Sequence, residues 1–283
     1  MKTINPNTTQ LRMLASVKSQ SWLMNPNEVQ NFALAALEAE DRTNNTELDL
    51  SMFYDMRKPM TIDGDGIAHI EIKGSLLYSC PPIYEKLGLA VRYETIIKEV
   101  KLAEASGAIA ILYNVSSPGG TVAGVIEASE AMMNSPLPST SYCSGMACSA
   151  GYWLPCSTDT IIASASAQVG NIGAIISWQD CSAFWAEAGI EFKALVSEGA
   201  DYKSTFHVEP NADQIAFLQE SIDESGEMFR DQVSESRPEL DDEVFKAGWY
   251  SGVKAAQLGL IDGIGTYEEA REDLLFSTQF ETS

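Results

Sequence analysis

Short apolar runs alternate with segments of helical periodicity from about Gly66 onward. The runs IAHIEI (67–72), AIAILYNV (108–115) and STSYC (139–143) read as strands, and the stretches between them, 92–105 and 122–134, read as helices. Strands separated by helices of this length predict βαβ units and a mainly parallel sheet with right-handed crossovers. Further strands are predicted at TIIAS (160–164), IGAIIS (172–177) and FKALV (192–196), with a short helix at 183–188. A long amphipathic helix follows over 211–235, and GWYSGVKAAQLGLIDGIG reads as strand, helix, strand. The first 60 residues differ: they are rich in Asn, Gln and Thr, with helical patterns at 10–19 and 27–40. The pattern thus divides the chain into a partly helical N-terminal arm (1–60), an α/β domain (61–275) and a short C-terminal tail (276–283). No repeat of fixed period is present.

Composition narrows the class. A chain of 283 residues with 45% hydrophobic and 20% charged residues can bury a large core without staples. Eighteen Lys and Arg against 40 Asp and Glu give a formal net charge of −22, a field that opposes binding to nucleic acid or anionic lipid. The five cysteines (Cys80, Cys143, Cys148, Cys156, Cys181) are odd in number and not in zinc-site spacing, and His69 and His207 lie far apart. The expectation is free thiols, no metal and no cofactor, in a reducing compartment. The N-terminus lacks the apolar core of a signal peptide, and no run of 18 apolar residues occurs, so a cytoplasmic protein without membrane insertion is expected.

Two motifs carry candidate chemistry. Ser116-Ser117-Pro118-Gly119-Gly120-Thr121 lies between a buried strand and a helix, where glycines let the backbone approach a ligand and direct N–H groups at an oxyanion; a plain β-to-α turn has the same composition. Met146-Ala147-Cys148-Ser149-Ala150-Gly151-Tyr152-Trp153 places a serine among small residues at the start of an apolar helix. Small neighbours give a carbonyl access to the hydroxyl, which makes Ser149 a candidate nucleophile; its alternative role is an N-cap. A serine needs a base, and neither histidine is suitably positioned in the sequence. Lys203, in Gly199-Ala200-Asp201-Tyr202-Lys203-Ser204, could act if buried beside apolar groups, whereas most lysines are simply solvated. Tyr152, Trp153 and Leu154 read as helix-core packing, and Asp223, Glu224, Glu227 and Asp231 as a solvated helix face.

The blocks SSPGGTVAG, CSGMACSAGYWLPCSTDTIIAS, AQVGNIGAI, SEGADYKS and WYSGVKAAQLGLIDGIGTYEEA, in this order, closely resemble the signal peptide peptidase A family of serine proteases. Within it the chain looks most like the capsid maturation (prohead) proteases of tailed phages, and Trp22-Leu23-Met24 is similar to the start of that branch. The likeness covers roughly three quarters of the chain, and ordered blocks are far more specific than any one motif. The resemblance implies a crotonase/Clp-like α/β fold and a serine endopeptidase with a Ser-Lys dyad: Ser149 as nucleophile, Lys203 as general base, and Gly119 and Ala150 N–H groups as the oxyanion hole. It also implies a peptide substrate pairing as a strand beside Gly119, Gly120 and Thr121 and beside Gly170, Asn171 and Ile172, and a homo-oligomer. Inside a phage, the substrates implied are scaffold and capsid proteins of the prohead.

One position departs from the family: its usual Gly-Ser-Ile-Gly turn reads Gly170-Asn171-Ile172-Gly173, so an amide stands where a hydroxyl helps orient the lysine. Where the related Clp protease has its histidine base, residues 170–176 contain no histidine, which excludes that triad. Crotonase enzymes share the architecture with carboxylate chemistry, which would leave Ser149 and Lys203 incidental. A cytoplasmic housekeeping peptidase of the same family, or a catalytically silent assembly protein, are the other readings.

Overall fold

The computed structural model describes residues 22–23, 57–178, 182–203 and 209–279. In chain order the elements are β1 (Trp22–Leu23), β2 (Thr61–Ile62), β3 (Ile67–Lys73), β4 (Ser75–Leu77), α1 (Pro82–Lys86), β5 (Ala90–Arg92) and α2 (Tyr93–Ala105). Then come β6 (Ala110–Ser117), β7 (Gly120–Thr121), α3 (Val125–Met133), β8 (Ser139–Cys148), α4 (Ala150–Trp153), β9 (Thr160–Ala163) and β10 (Gln168–Gly170). The last part holds α5 (Ser182–Glu187), α6 (Ala212–Ser236), β11 (Trp249–Ser251), α7 (Gly252–Gln257), β12 (Gly263–Ile264) and α8 (Tyr267–Thr278). The arm helices expected at 10–19 and 27–40 lie outside the described residues, as do Cys181 and His207.

The main sheet runs β11-β10-β8-β6-β3-β2. Strands β3, β6, β8, β9 and β10 are mutually parallel, and β2 and β11 close the ends antiparallel. The ten-residue β8 is the central strand: its first half pairs β9 and its second half pairs β10 on the same edge. Period-two burial explains the layers. Ala68, Ile70 and Ile72 of β3 and Ile111, Tyr113 and Val115 of β6 face one core with α2, α3, α4 and α6, while Ile67, Ala110 and Leu112 face the other, closed by Ala270 and Leu274 of α8. The fold is therefore mixed α/β with a mainly parallel sheet and flanking helices.

A second, four-stranded sheet runs β1-β7-β4-β5. It places the Gly119–Gly120 turn beside β4, where the Leu76 N–H donates to the Gly119 carbonyl at 2.9 Å. Gly120 is required by contact: a Cβ there would lie 1.7 Å from the Leu76 carbonyl oxygen.

Several expectations are corrected. Residues 172–177 form no regular strand; the strand is β10, four residues earlier, because Gly170 (φ +115°) and Asn171 (φ +55°) turn the chain before Ile172. The FKALV run forms no strand either, and Leu195 within it is fully exposed, so an apolar run without a partner sheet stays irregular. Helix α8 runs through Thr278, past the expected end of the domain, on a Thr266–Glu269 capping box. At the other end, the Arg57 side chain packs with Glu99 of α2 at 2.6 Å, with both groups about nine-tenths buried.

Candidate active site

The nucleophile candidate stands at the end of β8, and a register shift prepares its position. Val115 pairs with Cys143 but Ser117 pairs with Ala147, so β8 carries two extra residues between these pairs and bends before it reaches Ser149. The Ser149 N–H then donates to the Gly170 carbonyl at 2.8 Å, tying the strand end to β10. Ser149 itself has φ +57° and ψ −126°, a conformation that costs a non-glycine residue of order 1–3 kcal/mol and persists only where the surroundings enforce it. The enforcement is visible next door: a Cβ on Gly151 would lie 2.6 Å from the Ser117 carbonyl oxygen, so the start of α4 presses directly on the end of β6.

The N-cap alternative for Ser149 fails on geometry. Although the residue precedes α4, its side chain caps no helix N–H. The Oγ atom is buried and has no hydrogen-bond partner among the described residues, and the whole residue is 1% exposed. A buried hydroxyl without a partner costs about 1–3 kcal/mol, so a second cost falls on the same residue. Beside it the Ala150 N–H, in the first turn of a helix, has no intrahelical acceptor. With α4 one turn long, stabilisation of an oxyanion here would come from this N–H rather than from a macrodipole.

The glycine turn is built but differently aimed. The Gly119 N–H donates to the buried Ser117 Oγ at 3.2 Å, so it faces into its own turn; Ser117 is a participant that the sequence reading missed, although its place before Pro-Gly-Gly signals a side chain able to fold back on the turn. Thr121 is structural: its Oγ1 accepts from the Tyr78 N–H at 3.0 Å, and its carbonyl accepts from the Tyr93 hydroxyl at 2.7 Å. Burial drives the Tyr93 phenol far above its ordinary pKa, so this donor stays protonated.

On the other side, Gly170 has β8 along one edge and β11 along the other, and the Asn171 N–H is taken by the Gly248 carbonyl at 2.7 Å. Only Ile172, buried and beyond these pairings, follows the last sheet bond. The left-handed backbone at 171 gives a physical reason for the amide: asparagine tolerates positive φ better than most residues.

Lys203 is exposed and sits in a turn whose N–H bonds Ala200 at 3.0 Å. The turn rides on the N-terminal end of α6: Gln214 Nε2 donates to the Lys203 carbonyl at 3.1 Å, and Tyr202 stacks on Phe217 with ring centroids 4.8 Å apart. The other end of α6 is anchored where Phe229 stacks on Trp153 at 4.7 Å. About 22 Å of helix separates Gln214 from Phe229 at 1.5 Å per residue, so the lysine turn stands well away from the anchor beside Ser149. The structure ties Ser149 to Gly170 and sets the end of β6, which carries the Gly119 turn, against the start of α4; Lys203 makes no hydrogen bond to Ser149 Oγ, which has no partner among the described residues.

The remaining candidates take plain positions. His69 bonds Asp63 Oδ2 at 2.9 Å and the Tyr267 hydroxyl, joining β3 to α8 and serving no base role at Ser149. Burial raises the Asp63 carboxyl, but hydrogen bonds from His69 and Arg271 outweigh it and hold the group well below the carboxylate range. Cys80, Cys143 and Cys156 are in no disulfide, the Cys148 Sγ donates to the Gln168 carbonyl at 3.5 Å, and burial pushes the Cys156 thiol up to about 12. Tyr152, Trp153 and Leu154 are core residues, and Asp223, Glu224, Glu227 and Asp231 are solvated. No helix among the described residues is long and apolar enough to cross a membrane.

The model of peptidase family S49 matches residues 131–277, just over half of the chain. The chain belongs to peptidase family S49. It is 30% identical over 168 residues to Protease 4 of Salmonella typhi, an alignment covering 57% of this chain and 27% of that protein. It is 26% identical over 206 residues to Capsid assembly protease C of Escherichia phage lambda, covering 70% and 46% respectively. It is 23% identical over 173 residues to Head-tail preconnector protein GP5 of Enterobacteria phage P21, covering 60% and 34%. The chain therefore spans about half or less of the length of these relatives. The family match includes Ser149, Gly170 and Lys203 and leaves the Gly119 turn outside.

Proposed function

We propose that this S49 chain is a serine endopeptidase on a crotonase/Clp-like fold, with Ser149 as nucleophile and Lys203 as general base. The observation that carries the reading is Ser149 itself: a positive-φ residue whose hydroxyl caps no helix and has no hydrogen-bond partner among the described residues, next to the Ala150 N–H at the first position of α4. In the reaction Lys203, neutral before attack, accepts the Ser149 proton as Oγ adds to the scissile carbonyl. The oxyanion takes the Ala150 N–H and displaces Ser117 as acceptor of the Gly119 N–H. The proton then passes to the leaving amine, and water activated by the same lysine hydrolyses the acyl-enzyme. Each oxyanion donor is worth on the order of 10²–10³ in rate.

The position of Lys203 bears on how the dyad forms. The first half of α6 and the turn it carries expose Tyr202, Ile215 and Phe217, an apolar surface distant from the core of their own chain. Our reading is a homo-oligomer in which this surface packs on a neighbouring copy and delivers Lys203 to that copy's Ser149. The phage relatives favour scaffold or capsid proteins as substrates, and extended chains would pair with the β7 edge.

The test is cleavage of a co-expressed scaffold or capsid protein, read by intact mass. Ser149→Ala and Lys203→Ala should each abolish cleavage, and a mixture of the two should regain part of it through sites holding one native residue from each chain. Cleavage that persists in Ser149→Ala would overturn the peptidase reading; inactive single variants with no recovery on mixing would confine the dyad to one chain, and an active Lys203→Ala would remove the lysine from it. A silent assembly protein would cut nothing in any form.

A further inference from the structure

Strand β7 has two edges. One is taken by β4, with Leu76 opposite Gly120, and the other by β1, with Trp22 opposite Thr121 and Leu23 opposite Gly120, antiparallel. Since β1 is the terminal strand of its sheet, β7 would present an open edge without it. That edge begins one residue from Gly119 and belongs to the turn whose N–H is proposed to meet the oxyanion. A backbone laid there is where an extended substrate would lie, and Ser149 is at the same time closed off, 1% exposed.

We propose that Trp22–Leu23 is the resident occupant of the substrate-accepting edge, so that the N-terminal arm is an intramolecular competitor of substrate. The proposal rests on the peptidase reading above for its consequence, though not for the pairing itself. The pairing is well suited to being displaced. It spans two residues, and each hydrogen bond in such a ladder contributes a net of only about 0.5–1.5 kcal/mol. What makes it competitive is the tether, because an attached segment acts at an effective concentration that reaches the order of millimolar. A protein substrate presenting several strand and pocket contacts can displace it, whereas a short peptide meeting the same edge cannot. The arm would therefore act as a threshold that selects long, extended segments at high local concentration, as inside a crowded assembly.

The experiment keeps the full chain and alters only the pairing. Leu23→Pro removes an N–H and fixes φ, which opposes strand pairing, while Leu23→Val retains both. In a Ser149→Ala background a fluorescein-labelled peptide of residues 18–26 is titrated by anisotropy. Binding at least tenfold tighter to the Leu23→Pro chain than to the Leu23→Val chain is expected; equal binding overturns the proposal. With Ser149 intact, Leu23→Pro should lower the KM for unfolded casein about tenfold with kcat little changed, and the unlabelled peptide should inhibit competitively. Cleavage with the same KM in both variants overturns the competitor role while the peptidase reading stands. Tighter peptide binding with no cleavage in any Ser149 chain supports the occupied edge and removes the peptidase reading.

Discussion

At the scale of single residues, two glycines and one serine define the site more sharply than the charged groups do. Gly120→Ala would drive a Cβ into the Leu76 backbone, which cannot yield as a side-chain tip can, so a loss of roughly 1–3 kcal/mol is expected in urea unfolding together with weakened binding of strand-like peptides. Asp262 offers a pH test. Burial raises its carboxyl, and hydrogen bonds from Arg237 and the Ile161 N–H more than offset this, so its folded-state pKa lies below the ordinary value of 3.8. A depressed carboxyl stabilises fully above the unfolded pKa and loses that contribution as pH falls through the folded one. Asp262→Asn should therefore lower the Tm between pH 5 and 8, by an amount corresponding to about 1 kcal/mol, and the gap to the parent chain should begin to close only below the ordinary value of 3.8, as the pH falls through the depressed folded-state pKa. That the glycine turn follows a buried strand and that Ser149 opens a helix were legible in the sequence, because apolar runs end at both and small residues follow. The direction of the Gly119 N–H was not, since it depends on a contact with Ser117 that only the folded turn creates.

At the scale of elements, helices with caps and one-sided apolar stripes were readable, and irregular segments were not. Helix α6 begins where expected, on an Asn211 capping box with Gln214, and Asn211→Ala should cost about 1 kcal/mol in thermal unfolding. Gln214 serves both the cap and the Lys203 carbonyl, so the same variant should loosen the lysine turn, visible as faster amide exchange over 200–203. The run at 172–177 misled because the positive-φ residues Gly170 and Asn171 turn the chain ahead of it, and the run at 192–196 misled for another reason. An apolar string specifies burial, and the partner that would make it a strand is absent from the described fold. Strand β1 escaped notice for the opposite reason: two residues give no periodicity, and only their pairing with β7 reveals them.

At the scale of the whole molecule, charge and apolar exposure oppose each other. A chain of net charge −22 repels its copies, whereas the exposed Ile215 and Phe217 favour association. Screening over about 10 Å at 0.1 M salt weakens the repulsion and leaves the apolar term, so the assembled fraction in sedimentation should rise between 20 and 300 mM salt, and Phe217→Ser should remove it. The parallel sheet and its flanking helices were legible at this scale; the exposure of Ile215 and Phe217 on α6 was not, because it depends on where the fold leaves that helix end. The buried pair of Arg57 and Glu99 adds a boundary to this picture. Stripping the arginine would strand a carboxylate under α2, a loss of about 3–5 kcal/mol where one buried partner is deleted. Any nick that sheds the leading segment is thus harmless only upstream of residue 57, and the first durable terminus of a trimmed chain should be found there or earlier.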